Sequence, residues 1–148
     1  MKPDVGRVLE VCAVSLMTDV AANTAPPYRQ ASVFATAILL TSIREEFDRS
    51  AARRIEENRA LRTLFADARE SVADAALRVR LDEASRAEET SFLVSDLDAA
   101  NAALRQLLIE LHAHVEALDS PAARRTEAAL WRELAASTLR RKLSLGAF

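Results

Sequence analysis

The chain has 148 residues, half of them apolar and 28% charged, with a formal net charge of −2. That length suits one domain whose core needs no covalent staple, and the balance excludes both a disordered chain and a membrane-embedded one. Near-neutral charge gives no long-range field to gather nucleic acid or anionic lipid, so neither nucleic acid nor membrane is expected as a partner.

Cys12 is the single cysteine. It excludes an intrachain disulfide and a thiolate-rich zinc site, and it suits a reducing cytoplasm. Glycine occurs only at positions 6 and 146 and proline only at 3, 26, 27 and 121. Sheets need turns, and turns draw on those residues, so their absence from 28–120 predicts an all-α fold. The expected architecture is one domain over residues 1–148. It is a helical bundle of four to five helices, mostly antiparallel, with one long charged amphipathic helix.

Asp4 is placed to accept hydrogen bonds from the free amides of a first helix, running from Val5 to about Ala22. Its apolar face is read as Val5, Leu9, Cys12, Leu16 and Val20, which makes Cys12 a small buried hydrophobe. Arg7, Glu10 and Asp19 interrupt what a secretion signal would keep uncharged. The stretch "NTAPP" ends this helix, and Pro27 has the fixed φ suited to the first turn of the next. That second helix carries Phe34, Ile38, Ile43 and Phe47. Its uncharged run, residues 30–43, is 14 residues long, short of the ~18 needed to span a bilayer.

Residues 44–70 hold seven arginines and seven acidic residues, while Ile43, Phe47, Ile55, Leu61 and Phe65 keep an apolar stripe. This reads as a continuing amphipathic helix with a solvated back, extending past Arg62. "SVAD" at 71–74 resembles a capping box for a third helix ending near Ser85. Periodicity then fails near 88–91, with Thr90 or Ser91 as the next cap. In "DSP", Ser120 caps and Pro121 opens a last helix reaching about Leu143, with Leu130, Trp131, Leu134, Ala135 and Leu139 as apolar positions. Arg140, Arg141 and Lys142 complement its negative C-terminal end.

The fourth helix, residues 94–118, holds the strongest pattern. Leu97, Leu104, Leu111 and Leu118 fall at d, and Val94, Asn101, Leu108 and Val115 at a, as in a zipper with one polar register residue. The flanking g positions Leu93, Ala100 and Leu107 are apolar rather than charged. That broad stripe is the one a helix needs inside a bundle, although the same residues are interface candidates if the face pairs between copies.

His112 and His114 are two residues apart, so on a helix they point away from each other and cannot share a metal ion. No Glu-x-x-His pair of the di-iron type occurs. Two isolated glycines do not build a phosphate-cradling loop, and no nucleophile elbow is present. No catalytic residue, cofactor or metal site is therefore assigned. The expected role is a non-catalytic, structural or regulatory one exerted through protein-protein contacts, as a cytoplasmic homodimer. The interface candidates are Val94, Leu97, Asn101, Leu104, Leu108, Leu111, Val115 and Leu118, and the long helix bearing Phe47, Ile55, Leu61 and Phe65. One alternative is an apolar-ligand pocket near Tyr28, Phe34 and Trp131. A second is a metal- or phosphate-dependent activity at Glu110 and His114.

Overall fold

The computed structural model describes residues 4–144; Gly146 and the rest of the C-terminal tail lie outside them. Five α-helices are present and no strand among the described residues. The chain forms two compact units, one drawn from Met1–Ser50 and Lys142–Phe148, the other from Ala51–Arg141. The second helix, 42 residues long from Pro27 to Ala68, runs through both.

In the first unit, α1 (Val5–Ser15) starts where Asp4 Oδ1 accepts from Arg7 N at 3.0 Å. The helix then loosens into a π turn over Leu16–Val20 and a 3₁₀ turn over Ala21–Asn23. Thr18, Asn23 and Thr24 bond back to the carbonyls of Val14, Asp19 and Val20, offering the backbone alternatives to regular helix there. After a loop whose Ala25–Pro26 bond is cis, α2 (Pro27–Ala68) begins at the proline. Gln30 Nε2 donates to Ala21 O at 2.9 Å and Arg44 pairs with Glu10 at 3.6 Å. These two ties at opposite ends make α1 and the first half of α2 an antiparallel hairpin.

The inward face of this hairpin differs from the one read in the sequence. Ala13, Ala21 and Ala37 are its buried apolar residues, whereas Val5, Val20 and Cys12 are exposed. Small side chains let two helix backbones approach closely, and the larger valines are left outside. Cys12 is thus a surface thiol, not a buried hydrophobe.

The second unit is an up-down-up-down arrangement of the rest of α2 with α3 (Ala75–Arg86), α4 (Val94–Glu116) and α5 (Pro121–Arg141). Residue pairing sets the directions. Arg69 meets Asp82 and Arg62 meets Glu89, so α3 returns along α2. Arg80 meets Glu110, and Ala73, just before α3, meets His114, so α4 reverses again. Glu57 bonds Arg141 and Ser71 bonds Thr126, which lays α5 antiparallel to α2. Arg54 with Asp98 and Asn58 with Asn101 show α2 and α4 running parallel. The core gathers Leu61, Leu64, Phe65, Ala68, Val72, Leu77, Leu81, Leu104, Leu107, Leu108, Leu111, Val115 and Leu130.

Two helix starts correct the sequence reading. The cap of α3 is Asp74, whose Oδ1 accepts from Leu77 N at 2.9 Å. Ser71 is instead buried in a 3₁₀ turn, bonded to Ala68 O and Thr126. Likewise α4 begins after Leu93 with no side-chain cap, because Ser91 Oγ accepts from Leu93 N ahead of the helix.

Candidate interaction surface and buried polar layer

The heptad face of α4 is used inside the chain. Leu97, Asn101, Leu104, Leu108, Leu111 and Val115 are buried there, as is Leu107 on the g flank. Val94 is 39% exposed and Leu118 partly buried. These side chains already have neighbours within the second unit, which leaves little of the seam for another molecule.

Asn101 finds its partners in a polar layer crossing this core. Its Nδ2 donates to Asn58 Oδ1 at 2.9 Å, and its Oδ1 accepts from Arg141 Nη2 at 3.0 Å. Beside it Glu57, 1% exposed, accepts from Arg141 at 2.8 to 3.0 Å, from Ser137 at 3.0 Å and from Arg105. Burial acts most strongly on Glu57 and by itself would raise its pKa. The hydrogen bonds from Arg141 and Ser137, the Arg141 charge and the Arg105 bond together outweigh burial, holding the carboxyl below its ordinary value. The layer ties α2, α4 and α5 at one level. A slip of any of the three helices would leave a buried carboxylate without its donors, so the layer defines register.

Sequence reasoning missed this layer apart from Asn101. The available signal was position: Glu57 and Asn58 precede Leu61 by four and three residues and so lie on its apolar stripe. Replacing Asn101 with leucine removes one acceptor of Arg141, which keeps Glu57, and leaves Asn58 short of a partner. We expect Asn101→Leu to lower stability by about 1–3 kcal/mol in urea denaturation and to leave the assembly state unchanged. A changed assembly state in sedimentation would place the seam between copies.

The histidines sit apart. His112 meets the edge of Trp131, with ring centroids 5.3 Å apart and planes at 89°. His114 Nε2 accepts from Ala73 N at 3.1 Å. Glu110 is gripped by Arg80 at 2.6 and 2.9 Å; the Arg80 hydrogen bond is the main cause of its lowered pKa. Glu110 and His114 therefore serve different partners. Among the described residues, no group of three or more His, Cys, Asp or Glu side chains is placed to hold a metal ion.

Of the residues considered for a ligand pocket, Tyr28 is 67% exposed and Phe34 41% in the first unit, and Trp131 is 56% exposed in the second. The second unit also carries a groove of about 670 Å³ between α2 and α5, lined by Ala60, Ala68, Ala122, Ala129 and Ala136 and edged by Arg125 and Glu133. Trp131 is not part of its lining.

Large apolar side chains are exposed in both units: Val79, Phe92, Leu93, Val94, Ile109, Trp131 and Leu139 in the second, and a denser set in the first. In the first unit Val5, Val8, Val11, Val14 and Val20 are exposed along the N-terminal helical segment, and Phe34, Ile38, Leu39, Ile43 and Phe47 along α2. Of the long-helix interface candidates, Phe47 belongs to this surface, Ile55 is partly buried, and Leu61 and Phe65 are in the core of the second unit. No helix among the described residues is long and apolar enough to cross a membrane. Comparison with protein-family models, curated proteins and solved structures gives no significant match for this chain.

Proposed function

We propose that this protein is a non-catalytic helical protein that acts through protein-protein contacts, as a homodimer. One observation carries the reading: the first unit leaves eleven large apolar side chains exposed along its helical segments, Tyr28 among them, more apolar surface than isolated surface residues explain. The second unit supports a non-catalytic role. Its buried charges engage one another, and Glu110 and His114 are held by separate partners, so neither set converges on space for a substrate. A cytoplasmic location belongs to the same reading, supported by an exposed thiol that suits a reducing compartment.

Light scattering at two concentrations tests the oligomeric claim. A species larger than a monomer is expected at about 100 µM, with dissociation on dilution. A strictly monomeric protein at the higher concentration would remove the homodimer.

A further inference from the structure

The hairpin of the first unit lacks the cover its composition requires. Between Val11 and Ile43 only Asp19 and Arg29 are charged, and they are of opposite sign. Yet the apolar residues buried there are alanines, Ala13, Ala21 and Ala37. Helices apolar around their circumference are stable in water when other helices surround them.

The exposed residues are ordered. Val5, Val8 and Cys12 are spaced i, i+3, i+7 and make one stripe on α1; Leu39, Ile43 and Phe47, spaced i, i+4, i+8, make another on α2. The register set by Glu10 with Arg44 and Ala21 with Gln30 brings Val5 level with Phe47, Val8 with Ile43 and Cys12 with Leu39. Helix handedness puts both stripes on the same side of the hairpin. The other side bears the charged cleft lined by Arg7, Glu10, Thr41, Glu45 and Asp48, with Phe47 at the boundary.

We infer that a second copy of this chain covers the stripe formed by Val5, Val8, Cys12, Leu39, Ile43 and Phe47, hairpin against hairpin about a two-fold axis. This rests on the homodimer reading and gives it a surface. Five of the exposed apolar side chains, Val5, Val8, Leu39, Ile43 and Phe47, join Cys12 in this stripe, an apolar centre of the kind that anchors a standard interface of ~800 Å² per partner. Two hairpins complete a four-helix arrangement, the form in which two-helix units bury both faces. A two-fold contact needs one self-complementary patch, and this patch carries no charge to repel its copy. A lipid surface is the poorer fit: Arg7 and Arg44 stand with Glu10 at the cleft on the other side, so among the described residues they form no basic rim around the stripe for anionic headgroups.

The test uses the full chain and Ile43→Arg. Sedimentation at about 100 µM should find the native chain dimeric and the variant monomeric. Val79→Arg, which charges an equally exposed valine of α3, should remain dimeric. Cys12 gives a readout independent of the variant's folding. Its reaction with a thiol reagent in the native chain should slow roughly tenfold or more between about 1 µM and about 100 µM protein. A native dimer that persists in Ile43→Arg, with Cys12 equally reactive at both concentrations, would overturn this surface while leaving the homodimer reading intact. A monomeric native chain would overturn both, and binding of that monomer to phosphatidylcholine and phosphatidylglycerol vesicles would assign the face to lipid.

Discussion

Glu57→Ala should destabilise the second unit by about 3–5 kcal/mol, the usual cost of removing one partner from a buried ion pair. The measurement is the urea midpoint followed by the fluorescence of Trp131, whose ring stands against His112 in the same unit. Glu57 is 1% exposed and receives donors from Arg105, Ser137 and Arg141. Deleting it removes the acceptor that Arg105, Ser137 and Arg141 share, and of the three Arg141 keeps Asn101. The Arg105 and Arg141 side chains are 38% and 41% exposed and can regain some water, which draws the cost toward the lower end of that range. Glu57→Gln keeps the shape and one acceptor, so it should fall between the native chain and Glu57→Ala.

The same carboxylate sets a pH dependence. Its folded-state pKa lies below the ordinary value, so the native state holds it ionised more firmly than the unfolded chain does. Its stabilisation is therefore complete above about pH 4.3, the ordinary glutamate pKa, and is lost as pH falls through the lower, folded value. Glu89 adds to the same acid limb: burial is the largest influence and opposes ionisation, but the hydrogen bond and charge of Arg62 outweigh it. Acid denaturation of Glu57→Ala should thus be shallower than that of the native chain. Superimposable acid limbs would mean that the carboxylate is not held by its arginines.

Phe65→Ala should cost a similar amount, about 3–5 kcal/mol, for a different reason. Phe65 is fully buried and lies in the core with Leu61, Leu64, Leu104 and Leu108. Truncation loses transfer free energy and leaves a cavity that these neighbours fill only in part. Phe47 stands on the same helix but is 59% exposed. Its truncation should leave the urea midpoint of the second unit within about 0.5 kcal/mol. Equal costs at the two positions would contradict the division between a buried and an exposed stretch of α2.

Helix class and most boundaries were legible because they depend on local chemistry. Asp4, Pro27, Ser120 and Pro121 mark helix starts as their side chains predict, with Ser120 Oγ accepting from Ala123 N at 3.1 Å. The broad face of α4 was legible in part: Leu107 on the uncharged flank is buried as a bundle helix requires, Ala100 is partly buried, and Leu93 precedes the helix and is 66% exposed. What escaped depends on residues far along the chain. "SVAD" offers two capping side chains, and only the demand of Thr126 on Ser71 leaves the role to Asp74. Glu57 looks like one charge in a solvated run until Arg105 and Arg141 are seen to reach it. The inward face of α1 was misread because the helix is apolar on several sides. Pattern alone favours its large side chains, whereas close helix packing selects Ala13 and Ala21.

These features divide the chain into a unit with a large core of its own and one whose apolar stripe stands exposed, the stripe that we propose a second copy covers. Hydrogen exchange of the native chain at about 1 µM and about 100 µM tests that division most directly. Amides of α1 and of residues 30–47 should become more protected at the higher concentration, while those of α4 stay the same. Concentration-dependent protection in α4, with none in α1, would place the interface on the heptad seam and contradict the account.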